Sequence, residues 1–456
     1  MGLVIVTTPA ELTSAISAAQ AGDEIVLADG TYPLTGVTCG ATGTETQPIV
    51  VRAQNPLGAH VELDALEGFK VTGAHWHFEG LDVTGVCAVD SSCEHAFHVM
   101  GAAVGFVLRG SRVRDFNAQL KVNASKIDTT WVTPDRGLIE YNELADTRAR
   151  NTSNPVTKLN IDTGDDWIIR GNYIHDAQKA GGDNISYATF LKSGGKRGVI
   201  ERNLVVCSRD TTGGTRIGLS FGGGGTGAQF CAPAFDPDVP CSVEHEGGTM
   251  RNNIIASCSD VGIYLNRAKD THLLYNTLIS TGGVDFRFDT TSGEAVGNVL
   301  SGMIRTRDNA TMTATSNQQN LAVSQLLAWY RDPLIGDLTV IGDVSVLKTA
   351  GPTRADVLND YCVQQRPSTM YTLGAIEHAV GTCDTTRPPV DPHPTGDSDG
   401  ASIAGDDTGV SSTQPGGCCD TGGSRGTLPL ALVVLVGLFR QRGRSVTRRC
   451  ITSGAV

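Results

Sequence analysis

The sequence predicts an all-β fold: a single-stranded right-handed parallel β-helix, a solenoid, with an N-terminal capping helix. Three observations carry that expectation. A short β-rich phrase around a turn residue recurs as FEGLDVTG at Gly80, VLRGSRVRDF at Gly110, IEYNELAD at Asn142, IIRGNYIHD at Asn172, VIERNLVV at Asn203, MRNNIIAS at Asn253 and LLYNTLIS at Asn276. AVGNVLSG at Asn298 is a weaker eighth copy. The steps are 30 residues from Asn142 to Asn172, 31 to Asn203, 23 from Asn253 to Asn276 and 22 to Asn298, within the roughly 20–50 residues typical of stacked supersecondary units. The second observation is the asparagine itself, whose amide donates and accepts at once and so can bond the next coil along the fibre axis. The third is the period-two alternation of the strands ahead of these turns, with 55 glycines to serve the tight corners.

Taken in order, Thr8-Pro9-Ala10-Glu11 forms a capping box with proline at the first helical position. The helix it opens, expected over 9–20 with apolar Leu12, Ile16 and Ala19, would plug the open end of the solenoid. AGDEIVLADGTY (21–32) reads as a strand ending in a turn. After residues 1–22, one β-helix is expected over 23–384, of roughly ten coils. Residues 385–416, rich in Pro, Gly, Ser, Thr and Asp, read as an exposed disordered linker. The tail, 417–456, carries Cys418, Cys419, an apolar run over 428–439 and five arginines from Arg440 to Arg449. That run is shorter than the ~20 residues of an ordinary membrane span.

Two segments carry a resemblance. The capping helix with its GD-hydrophobic strand and DGTY resembles the entry into bacterial parallel β-helices, including the chondroitinase B and alginate lyase family within the pectate-lyase-like superfamily. NDYCVQQRPSTMYTLGAIEH (359–378), with RP followed by GAIE, resembles the segment that closes many of them. The tail resembles the C-terminal sorting tails of myxobacterial surface proteins, in which the cysteine is the processing or anchoring point. This implies attachment to a membrane or cell surface and an extracellular or outer-surface location. The start, MGLVIVTTPAEL, has no secretory signal, so the natural start is expected upstream.

A net charge of −12 points away from nucleic acid as a partner, since that footprint is basic overall. Twelve cysteines indicate an oxidising compartment. Spacing suggests Cys207 with Cys258, Cys231 with Cys241, and Cys362 with Cys383; the body also holds Cys39, Cys87 and Cys93, an odd total that leaves one thiol over.

Alternation places Lys70, His98, Met100, Lys121, Asn123, Lys158, Asn160, Asp162, Lys192, Arg216, Ser220, Tyr264, Asn266, Asp285, Arg287, Arg305 and Arg307 outward on one face. A largely cationic stripe on an acidic protein suits a polyanion drawn into a groove. Uronate polymers are cleaved by β-elimination: a base removes the proton α to the carboxylate while a cation or metal neutralises that carboxylate. The chondroitinase B and alginate lyase family uses a lysine in an S-K-S strand and an arginine one coil later. Lys192-Ser193 followed by Arg216 resembles that order, which implies Lys192 as base and Arg216 as its catalytic partner. Lys121, Lys158, Asn160, Asn266, Arg287, Arg305 and Arg307 are then candidate substrate-binding residues on a monomer that takes an acidic polysaccharide. The resemblance also implies Ca2+, for which Asn160, Asp162, Glu244 and Glu246 are candidate ligands that spacing leaves open.

Two other readings stand beside the lyase. Asp162, Asp165 and Asp166 in DTGDDW resemble the paired aspartates of polygalacturonase-type hydrolases, although the same residues make a good turn. A non-catalytic adhesin or stalk also fits a solenoid. FGGGGTG (221–227) lacks the GK[ST] of a phosphate loop and reads as the exit into a 228–245 insertion walling the groove. His245, between Glu244 and Glu246, reads as part of a solvated loop.

Overall fold

In the computed structural model, which describes residues 2–223, 230–239 and 241–388, every coil contributes one strand to each of three parallel sheets. The first sheet has twelve strands and the second and third have ten each, so ten coils run from Glu24 in the first-sheet strand Glu24–Leu27 to Arg307 in the third-sheet strand Met303–Arg307. The described residues lie within one compact unit, 1–403. Inward side chains stack into a single core along the axis, including a cluster of Phe69, Phe78, Phe97 and Phe106 with neighbouring ring centroids 5.0–6.0 Å apart.

The asparagines form the expected column. Asn142, Asn172, Asn203, Asn253, Asn276 and Asn298 are buried, and each donates its backbone N–H and its Nδ2 to the Oδ1 of the next, at 2.9–3.0 Å. The ladder runs on to Asn317, and below Asn142 it passes to Ser111, whose N–H donates to Asn142 Oδ1. The preceding residue takes a left-handed φ at every rung of the ladder: Gly110, Tyr141, Gly171, Arg202, Asn252, Tyr275, Gly297 and Ser316 lie between 53° and 71°. Glycine takes that conformation without strain, and the other residues are held there by the ladder.

A second column, which the sequence reading missed, runs along the first sheet. Register aligns Arg52, Glu79, Arg109, Glu140, Arg170, Glu201 and Arg251. Sign alternates at every rung, and Arg170 and Arg251 pair with Glu140 and Glu201 at 2.6 and 2.7 Å. Like charges would repel across the ~4.8 Å between coils; alternation turns that spacing into attraction.

The N-terminal helix is Pro9–Ala18, slightly shorter than expected, with both halves of its capping box formed and Leu12 and Ile16 buried on the core. At the other end the β-helix is shorter than the expected 23–384. After Thr313–Thr315 the chain leaves the coil and turns back along the outside of the second sheet. Leu326, Trp329, Tyr330, Leu338, Leu347 and Tyr361 pack there on Leu204, Val206, Ile254, Ala256, Ile279 and Val299. Those strands are therefore apolar on both faces, Val205, Ile255 and Leu278 filling the core. Within RP…GAIE, buried Arg366 donates to Asn252 Oδ1 and the Gly374 carbonyl, each at 2.9 Å, and lies 3.5 Å from Glu377. The segment thus covers a flank of the solenoid; it does not close the end.

The three expected disulfides are present, with Cys207 and Cys258 at a Cα separation of 4.8 Å, and Cys87–Cys93 is a fourth. Cys39 is the buried thiol left over. No described helix is long and apolar enough to cross a membrane. The linker from 389 onward and the tail lie outside the described residues.

Candidate functional site

The outward face of the third sheet presents two columns. One aligns Lys70, His98, Lys121, Asn160, Phe190, Ser220, Tyr264, Asp285 and Arg305. The other aligns Met100 with Asn123, Asp162 with Lys192, and Asn266 with Arg287 and Arg307. Where the columns meet, Lys121, Asp162 and Lys192 form one cluster. Lys121 Nζ donates to Asp162 Oδ2 and, at 3.0 Å, to Asn160 Oδ1. Lys192 Nζ lies 3.1 Å from Asp162 Oδ1 and 4.6 Å from the centre of the Phe190 ring.

The side chains of Lys121, Asp162 and Lys192 are 14%, 11% and 8% exposed, enough for contact from the groove but too little for free hydration. Burial raises the Asp162 pKa and the two ammonium groups lower it, the net being downward. Burial pulls Lys121 down, against the pull of Asp162. Two ammonium groups on one carboxylate carry a net +1, so losing one proton leaves a compensated ion pair.

Two excursions border the strand ends beside Lys192. The hairpin Ser125–Ile127 with Thr130–Val132 leaves the coil after Asn123, and the insertion after Phe221 returns at His245. Trp131 of the hairpin stacks on Phe235 of the insertion at 4.7 Å. The Ala232 N–H donates to the Ser193 carbonyl, while the Ser193 N–H donates to Glu244 at 3.0 Å. The described part of the insertion is therefore held against Ser193, next to Lys192. Residues 224–227 of the FGGGGTG stretch, with 228 and 229 after it, lie outside the described residues.

Several expected positions need correction. Lys158 does not face the groove: fully buried, it binds Asp146 and the Phe116 carbonyl. Arg216 is 1% exposed, donating to the Cys207 and Gly213 carbonyls, Gln178 Oε1 and Thr211 Oγ1. Register pairs Leu191 with Phe221 and Ser186 with Arg216, so Arg216 sits six residues, roughly 20 Å, from the level of Lys192. It cannot share a reacting group with Lys192. The cause is a slip in alternation at the start of these strands, where two successive residues face inward. Ala96 and Phe97 both join the core, and Lys158 and Leu159 occupy the same stretch one strand further on, past Gln119 and Leu120.

Asn160, Asn266, Arg287, Arg305 and Arg307 do share the face, but the stripe is less cationic than expected. Arg287 pairs with Asp308 at 2.7 Å, and Asp285 pairs with Arg305 and with Arg307 at 3.1 Å. Asp165 and Asp166 bind Arg197 at 3.1 and 2.7 Å, in a turn where Thr163, Gly164 and Asp166 have positive φ; the turn reading holds. His245 is no solvated loop residue. It is buried, stacks on Phe221 at 4.2 Å, and burial pushes its pKa down to about 3.

The four candidate calcium ligands do not converge. Asp162 Oδ1 and Oδ2 and Asn160 Oδ1 already accept from lysines, and Glu244 accepts from the Ser193 N–H. Glu246 pairs with Lys269 and Lys196 in a separate three-stranded sheet. Calcium wants six to eight oxygens around one point, and these residues do not offer them.

The architecture is that of a parallel β-helix. The crystal structure of pectate lyase Pel9A superposes with a TM-score of 0.54 at 16% identity, covering 83% of this chain and 96% of that one. That of an alginate lyase from Paenibacillus sp. str. FPU-7 gives 0.41 at 17% identity, covering 70% and 96%. The family model for Chondroitinase B matches residues 6–106. Pectate lyase L of Dickeya chrysanthemi is 34% identical over 92 residues, 17% of this chain. The chain covers 22% of that relative's length.

Proposed function

We propose that this chain is a polysaccharide lyase that cleaves an acidic, uronate-containing polymer by β-elimination at the Lys121–Asp162–Lys192 cluster. The observation that carries the reading is two lysines sharing one carboxylate on the outer face of the third sheet. A protein named pectate lyase has the same fold, and the N-terminal match is to Chondroitinase B.

Lys192 is the base. As the free amine it takes the C5 proton of the uronate, and Lys121 and Asp162 remain as a compensated pair. The electrons of that C–H bond form the C4–C5 double bond, and the C4–O bond breaks. The departing oxygen takes a proton from the Lys192 ammonium or from water. An ammonium has three donors; Asn160 and Asp162 engage two on Lys121, and the third meets the uronate carboxylate. Lys121 thus supplies the neutralising charge first sought in Arg216, and no step passes through calcium. Asn160, Asn266, Arg287, Arg305 and Arg307 line the path of the polymer, and the protein works outside the cell or at its outer surface, attached through its tail.

The test is a pair of variants assayed on pectate, alginate and chondroitin. Lys192→Ala abolishes formation of the unsaturated uronate with polymer binding largely retained; Lys121→Ala weakens binding and turnover together. Wild-type turnover in Lys192→Ala removes this assignment of the base. Reducing ends without the unsaturated product would indicate a hydrolase, and neither product an adhesin.

A further inference from the structure

We propose that Glu67, His95 and His98 hold a divalent transition-metal ion on the third-sheet face, one rung from Lys121. One donor atom from each residue lies within 4.8 Å of the other two. Glu67 and His95 are partners across adjacent coils, and His98 follows on the same strand. The two imidazole rings are 5.0 Å apart, and His98 Nδ1 is 2.6 Å from Glu67 Oε1.

The hydrogen bonding around the rings suits a cation. His98 Nε2 lies 3.1 Å from Asn123 Oδ1. With Nε2 donating there, Nδ1 turns a lone pair toward the Glu67 carboxylate. At 2.6 Å the two atoms share a proton; an ion with bonds of roughly 2.0–2.2 Å to each displaces that proton and needs the pair to part slightly. His95 has Nε2 3.9 Å from Glu94 Oε2, and its Nδ1 is buried with no hydrogen-bond partner. An orphaned ring nitrogen beside a carboxylate and a second imidazole is what a metal ligand looks like before loading. Asn123 would then orient the His98 ring. Lys70 sits on the other carboxylate oxygen, Glu67 Oε2, at 3.3 Å, and leaves Oε1 for the ion.

Two imidazoles and one carboxylate select zinc, nickel, copper or iron(II) over calcium. The donors are reachable, the His98 and Glu67 side chains being 9% and 29% exposed. His98 lies three rungs before Phe190, about 14 Å along the axis. His98 is, however, the direct register partner of Lys121, so the ion lies one rung from Lys121 and three from the level of Lys192; if the lyase reading holds, it binds the polymer beside Lys121 while proton abstraction stays with Lys192.

The experiment uses the full chain, stripped with chelator and free of sugar, so its outcome does not depend on any lyase activity. Zn2+ uptake is followed by calorimetry and Co2+ uptake by visible absorption. The wild type takes one equivalent that His95→Ala and His98→Ala each weaken by about tenfold or more, while Lys192→Ala leaves it unchanged. Glu67→Gln, checked for folding by near-UV circular dichroism, repeats the test should a histidine variant misfold. No uptake by the wild type overturns the proposal. So does uptake equal in all variants, which would locate the ion elsewhere, for example at Cys418 and Cys419.

Discussion

Replacing Asn203 by alanine removes one rung from the middle of the asparagine ladder, and the structure sets the size of the effect. The Asn203 side chain is fully buried. Its Oδ1 accepts from the Asn172 N–H at 2.9 Å and from Asn172 Nδ2 at 3.0 Å. Its Nδ2 donates to the Ile169 carbonyl at 2.9 Å. Asn172 Nδ2 keeps two other acceptors, the Ile139 and Arg170 carbonyls, so it is not stranded. The Asn172 N–H and the Ile169 carbonyl lose these bonds inside the protein. The Ile169 carbonyl stays in the ladder with Val199–Glu201, so the Asn172 N–H is the one buried orphan, a loss of roughly 1–3 kcal/mol. Asn317 is the internal control: at the end of the ladder its bonds are only part-buried, and water can replace them. Urea denaturation followed by circular dichroism should place Asn203→Ala well below Asn317→Ala, with faster hydrogen exchange at the Asn172 amide. Equal destabilisation, or a loss under about 1 kcal/mol for Asn203→Ala, would refute the view that the ladder holds the coils in register.

Lys158→Met should cost about 3–5 kcal/mol by leaving buried Asp146 without its counter-charge; adding Asp146→Leu should recover most of it, with polymer affinity unchanged in the folded fraction. His175 lies 2.8 Å from Asp176 and 3.5 Å from Glu143. Its hydrogen bond draws Glu143 down to about 2, and with backbone donors from Thr211 and Asp210 it outweighs burial to bring Asp176 to about 2. Their stabilisation is complete above the ordinary carboxylate range and fades as pH falls toward 2; that of His175, whose pKa is raised against burial by these two acids, is complete below about 6.5 and fades as pH rises. His175→Gln should therefore raise the acid-unfolding midpoint and flatten the neutral-to-alkaline slope, measured by denaturation across pH.

The fold was legible because its determinants are periodic. Asn142, Asn172, Asn203, Asn253 and Asn276 announce both the turn and the bond that stacks the coils, and Thr8 with Glu11 announces the cap. Lys121, Asn160, Asp162 and Lys192 were found by alternation because they sit where the third-sheet strands are regular. Lys158 and Arg216 were misplaced because alternation slips near the corner from the second sheet, and no local pattern marks that slip. Asp162 was seen as a calcium ligand, not as the shared partner of two lysines, because Lys121 lies 41 residues away and only register brings it close. Glu67 and His95 went unnoticed for the same reason. The charge alternation from Arg52 to Arg251 could have been read, since its rungs keep the spacing of the asparagines.

The most direct test of the central claim is to incubate the full chain with pectate, alginate and chondroitin, with and without chelator, and follow the absorbance of the unsaturated uronate. The account predicts that at least one polymer gives the product, that chelation leaves Lys192-dependent elimination in place, and that Lys192→Ala abolishes it. No unsaturated product from any uronate polymer, or product formed equally by Lys192→Ala, would contradict it.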